Sequence, residues 1–120
     1  MAKLKKFDIR IYGKPFPIMA EEVINHKYAP EVTLFIHRLE GAWRISEMNS
    51  GLYIAKGKTK KEALEALSNC ERTKEQMLSQ INKCIEKNGV CFTPLEERSK
   101  MESSSDYQEL LTSFGIIKKK

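Results

Sequence analysis

The hydrophobic period of this chain changes once, at Gly57-Lys58-Thr59. Before that point the patterned segments are strand-like, with apolar residues at every second position in 7–12 and 43–47; after it apolar residues recur every three to four. Side chains alternate across a strand but return to one face of a helix after about 3.6 residues, so the change dictates a sheet followed by helices. Val32-Thr33-Leu34-Phe35-Ile36-His37-Arg38-Leu39 is rich in β-branched and aromatic residues, and Glu40-Gly41 reads as a turn. Trp43 and Ile45 share one phase of the next strand. Asn49-Ser50-Gly51 is a second turn, and Leu52-Tyr53-Ile54-Ala55 is a third strand. Upstream, Phe7, Ile9 and Ile11 lie on one phase of a further strand, ended by Gly13-Lys14-Pro15. Residues 16–30 fit no single period: a short helix at 20–25 competes with an irregular strand, and Pro30 ends either.

Thr59-Lys60-Lys61-Glu62 and Thr73-Lys74-Glu75-Gln76 each have the Thr-x-x-Glu/Gln spacing of a capping box. They predict helices at 60–68 and 74–87. The first places Ala63, Leu64, Ala66 and Leu67 toward the sheet. The second carries Met77, Leu78, Ile81, Cys84 and Ile85 in one stripe and stops at Asn88-Gly89. The expected fold is therefore α+β: an antiparallel meander of three to four strands packed by two consecutive helices, over residues 1–92. Residues 93–120 read as a C-terminal arm with short helices and a basic tail. Thr93-Pro94 starts one helix, with Leu95 and Met101 as its only large apolar residues. A hinge at Glu102-Ser103-Ser104-Ser105 precedes a second, with Tyr107, Leu110, Leu111 and Phe114 on one side. Such an arm, loosely attached, docks on a partner or a second copy, or packs back on the sheet.

The chain has 120 residues, enough for one domain, and a net charge of +5. The charge is clustered at the N-terminus, at Lys56, Lys58, Lys60 and Lys61, and in the Lys118-Lys119-Lys120 tail; the remainder is net acidic. Lys58, Lys60 and Lys61 ring the start of the first helix, where free amides favour an anion. That makes Lys56, Lys58, Lys60 and Lys61 candidate contacts for nucleic acid. No apolar run is long enough for a membrane span, and the N-terminus lacks a signal-peptide pattern, so a cytoplasmic protein is expected, without membrane partners. Cys70, Cys84 and Cys91 are then reduced thiols that pack as small hydrophobes, and their spacing offers no metal site.

Catalytic patterns are not found. Gly57-Lys58-Thr59 lacks the upstream glycine of a phosphate loop, where Leu52 stands. Ser46, His37 and Glu47 could meet in the meander, without a nucleophile elbow or an oxyanion loop. Trp43 and Tyr53 could stack on bases, but Trp43 shares its phase with Ile45 and reads as core. The chain is read as neither an enzyme nor a cofactor binder.

Trp43-Arg44-Ile45-Ser46-Glu47-Met48-Asn49-Ser50-Gly51, followed by Gly57-Lys58-Thr59-Lys60-Lys61-Glu62-Ala63-Leu64, resembles the core of HicB-like antitoxins, in which a strand meander runs into a Gly-x-Thr-x-x-Glu-Ala helix start. It is also similar to a pattern recurrent in small phage- and prophage-encoded proteins. The expectation is a non-catalytic phage- or prophage-type protein that docks on a host protein or protein–nucleic-acid complex. An inhibitor of a defence nuclease such as a CRISPR effector fits that class. The resemblance implies, as the alternative, a HicB-like antitoxin or regulatory module that holds nucleic acid through Lys56, Lys58, Lys60 and Lys61. A homodimer is compatible with both.

Overall fold

The structure, a computed structural model, describes residues 3–117. Five strands, β1 (Leu4–Ile11), β2 (Lys14–Val23), β3 (Leu34–Leu39), β4 (Ala42–Glu47) and β5 (Tyr53–Gly57), form one sheet. Spatial order follows chain order, and every neighbouring pair is antiparallel. Helices α1 (Lys60–Ser68), α2 (Lys74–Asn88), α3 (Leu95–Ser103) and α4 (Asp106–Ser113) follow. The α+β meander is present, with five strands where three to four are expected. The extra strand is β2, in the stretch that fits no period. Its inward phase, Phe16, Ile18 and Ala20, does alternate, but Pro15 and Pro17 interrupt the pattern and Met19 adds an apolar residue on the outward phase.

The meander is a β1–β2 hairpin joined by a short seam to the three-stranded unit β3–β4–β5. β1 pairs with β2 along its whole length, from Leu4↔Glu21 to Ile11↔Lys14. β2 pairs with β3 only at Glu21↔Ile36, Glu22↔Phe35 and Val23↔Leu34. The β1–β2 and β3–β4 turns each pass through two residues of positive φ, Tyr12-Gly13 and Glu40-Gly41, the geometry that matches strand twist. The sheet does not close, and β1 and β5 are its edges.

One face of β3, β4 and β5 carries Leu34, Ile36, Ile45, Ile54 and Ala55 into a first core with Ala63 and Leu67 of α1 and Met77 and Ile81 of α2. Trp43 packs against it, as its phase requires. The loop before β3 adds Val32 and Tyr28, whose hydroxyl donates to Arg72 O at 2.7 Å. Both expected capping boxes are formed: Thr59 Oγ1 accepts from Glu62 N, and Thr73 Oγ1 from Gln76 N, each at 3.1 Å. At Gly57 a Cβ would lie 2.5 Å from Ala63 N, so only glycine lets α1 turn back this tightly onto β5.

The opposite face carries a second core: Phe7, Ile9, Phe16, Ile18, Ala20, Phe35 and Leu39, closed by Tyr107, Leu111 and Ile116. Here the structure corrects the expectation of a loosely attached arm. Phe7 stacks on Phe35 with ring centroids 4.3 Å apart, and Phe16 packs on both Tyr107 and Phe114. The Tyr107 hydroxyl donates to Pro17 O. Buried Asp8 accepts from Thr93 Oγ1 at 2.6 Å and pairs with Arg98 at 2.7 Å. The physical reason is the wedge left where β2 parts from β3: α4 fills it with the apolar side the arm already carried. The Lys118-Lys119-Lys120 tail lies outside the described residues.

Candidate functional site

The lysine cluster does not act as one group. Lys56 sits on β5 opposite Arg44, exposed. Lys60 pairs with Glu21 of β2 at 2.8 Å. Lys58 and Lys61 are exposed, and neither they nor Lys56 forms an ion pair among the described residues. The helix start that they ring already holds an anion of its own. Glu62 Oε2 accepts from Lys58 N at 2.8 Å and from Thr59 N at 3.3 Å. The carboxylate takes the two amides just before α1 and sets a negative charge beside the helix start, which opposes an incoming phosphate.

The arm residues divide. Tyr107 and Leu111 are buried in the second core, Phe114 packs against it, and Leu110 is exposed. Tyr107 and Leu111 hold the arm to the sheet and present no surface to a partner.

His37 and Ser46 do come together: His37 Nε2 lies 2.9 Å from Ser46 Oγ, both buried. Burial pushes the His37 imidazole down to about 4, with the Arg44 cation adding to the effect. Glu47 is not part of this pair. Adjacent residues on β4 point to opposite faces, and its carboxylate accepts from Asn49 N, Ser50 N and Ser50 Oγ at 2.7–2.8 Å, ordering the turn before β5. The geometry is that of a buried polar contact and a pinned turn. Tyr53, half exposed, lies under the Arg44 guanidinium, 5.4 Å from ring centroid to Cζ. No group of three or more metal-ligating side chains occurs among the described residues.

The feature that stands out is a surface the sequence did not mark. α1 and α2 cover the first-core face only over β3, β4 and β5. Over the β1–β2 hairpin the outward phase remains open at its Leu4 end. Three shallow hollows adjoin there. One of about 610 Å³ follows α1 past Lys60, Lys61 and Leu64. A second, about 580 Å³, shares Leu64 and continues over Val23, Ile24, Lys3 and Lys5. A third, about 320 Å³, shares Lys60 and Glu21 and lies between Leu4, Met19, Trp43 and Ile117. Ile24 is 70% exposed, Leu4 56% and Met19 50%, with Leu64 and Ile117 also open. Grouped exposed apolar residues of this kind mark interaction sites. Four lysines rim the surface. Lys5 and Lys60 are matched by Glu22 and Glu21, at 2.7 and 2.8 Å, and Lys3 and Lys61 have no ion-pair partner among the described residues. The surface therefore has a net positive rim around an apolar floor.

Of the candidate contacts read from sequence, only Lys60 and Lys61 belong to this surface; Leu64, expected to face the sheet, lies open on it, and Trp43 borders it from the core. A signal for the others was present. Leu4 stands out of phase with Phe7 and Ile9, and Met19 with Phe16 and Ile18, so each puts an apolar side chain on the outward phase of its strand. Comparison with protein families, with curated proteins and with solved structures finds no match for this chain.

Proposed function

We propose that this chain is a non-catalytic binding protein that recognises a protein partner through the apolar surface over Leu4, Met19, Ile24 and Leu64, with Lys3, Lys5, Lys60 and Lys61 at its rim. The observation that carries the reading is the run of three adjoining hollows with an open apolar floor. A protein interface of this kind needs an apolar centre and a polar rim, and charge complementarity then sets orientation and encounter rate. The phage- or prophage-like texture of the sequence makes a host protein, or the protein part of a host protein–nucleic-acid complex, the proposed partner. Inhibition of a defence nuclease is one form of that activity.

The test is affinity purification from nuclease-treated bacterial lysate, comparing wild type with Met19→Glu combined with Leu64→Glu. Both positions are exposed, so the fold is expected to persist. A stoichiometric protein retained by wild type and lost from the double variant supports the reading. A partner set that disappears with nuclease and ignores the double variant overturns it.

A second reading is a HicB-like antitoxin or regulatory module that holds nucleic acid, favoured by the exposure of Lys56, Lys58 and Lys61 without ion pairs among the described residues. Its mark is salt dependence: affinity falling by roughly one log-log slope unit per phosphate contacted, and abolished by Lys58→Glu with Lys61→Glu.

A further inference from the structure

Two of the three cysteines meet at one turn. Cys84, on the third turn of α2, lies with its Sγ 3.7 Å from Ser50 O. Cys91, two residues beyond the Gly89 cap, sits against the next residue. A Cβ built on Gly51 would lie 2.9 Å from Cys91 Sγ, and Cys91 N donates to Asn49 O at 2.7 Å. Gly51 has a φ of +70°, so the turn has both the missing side chain and the left-handed backbone that allow a thiol to lie on it. The two sulfurs thus flank a single Ser50–Gly51 peptide unit, and both are free thiols. Cys70 is remote from this turn: its carbonyl accepts from Lys27 Nζ beside Tyr28.

We propose that Cys84 and Cys91 form a dithiol site that a low-molecular-weight disulfide such as oxidised glutathione converts to an intramolecular disulfide. Their environments set the order of attack. Cys84 is half-buried and meets the reagent first. Cys91 is buried, and its thiol is pushed up to about 11 chiefly by desolvation, so it is poorly ionised and enclosed. The Cys84 thiolate attacks one sulfur of oxidised glutathione, the S–S bond breaks, and one glutathione leaves as thiolate and takes up a proton. The Cys91 thiolate then attacks the Cys84 sulfur of the mixed disulfide and expels the second glutathione, which is protonated in turn. Two protein thiols are oxidised to one disulfide, and one glutathione disulfide is reduced to two thiols. The product ties the last turns of α2 to the segment that crosses from the first core to the second.

The experiment uses the folded, reduced full chain, treated with oxidised glutathione, quenched with iodoacetamide and read by intact and tryptic mass spectrometry. Lys83 and Lys87 place the two cysteines on separate tryptic peptides, so a link joins peptides that otherwise run apart. With the quench made under denaturing conditions, the expected result is loss of two alkylatable thiols, an intact mass lower than the reduced control's by two carbamidomethyl groups and a further ~2 Da for the two hydrogens removed, and a Cys84–Cys91 peptide pair. In Cys91→Ser the reaction stops one step earlier, and glutathione accumulates on Cys84. Three wild-type results each overturn the proposal: both thiols staying alkylatable, a persistent glutathione adduct on Cys84, or a link that includes Cys70.

Discussion

The two faces of the sheet are held by different means. On the first, α1 and α2 are specified locally: each has its own capping box, and each lies close in sequence to the strands it covers. On the second, α3 and α4 lack a side-chain hydrogen bond from their N-cap residues, Pro94 and Ser105. They are held by aromatic packing on that face and, around the β1 edge, by polar ties to the other phase of the strand; Thr93 and Arg98 reach Asp8 over 85 and 90 positions. A helix needs either good ends or good tertiary partners. This molecule uses one solution on each face.

The largest expected effect comes from removing the keystone of the second face. Phe35 is fully buried and stacked on Phe7, so Phe35→Ala is expected to cost about 3–5 kcal/mol in denaturant unfolding. A loss below about 1 kcal/mol would mean that the second face adds little to the fold. Asp8→Ala comes next. It strands the Arg98 guanidinium, whose side chain is 13% exposed, at a cost of about 3 kcal/mol. Hydrogen exchange should show the loss concentrated in 95–117 while α1 and α2 keep their protection; uniform loss would erase the distinction between the faces.

His37 adds a pH dependence. It stays neutral in the folded protein down to about 4 but titrates near 6.5 when unfolded. The unfolded state therefore binds more protons between those values, and stability falls as pH drops through 6.5 toward 4. The expected loss is about 2 kcal/mol between pH 7 and pH 5, and His37→Gln should flatten that part of the profile. The smallest effects sharpen the comparison most cleanly. Thr59→Ala and Thr73→Ala should each cost about 1 kcal/mol, while Ser105→Ala should stay within about 0.5 kcal/mol. Equal losses at all three would show that local capping does not separate the two faces.

What could be read in the sequence follows the same division. The three central strands, both capped helices and their caps are local patterns, and each is found where its residues put it. The attachment of the arm was not legible in the same way. Tyr107 and Leu111 form the same apolar stripe whether they face a partner or a sheet, and nothing in their neighbourhood names Phe16 as their contact. The lysines were legible as charge, and Glu62 at the helix start as part of the capping box, but not the Glu21 that pairs with Lys60. Leu4 and Met19 carried a readable signal, an apolar residue on the outward phase. It was hidden because β2, with Pro15 and Pro17, does not alternate cleanly.

The second core also has a consequence for the timing of synthesis. Phe7, Ile9, Phe16 and Ile18 emerge well before Tyr107, Leu111 and Ile116, which close their core. At about 5–20 residues per second, the stretch from Phe16 to Tyr107 takes roughly 5–20 s to translate. During that interval the hairpin leaves the ribosome with its aromatic face uncovered. Elongation rate and chaperone supply, rather than native stability, then govern how much of the newly made protein escapes aggregation.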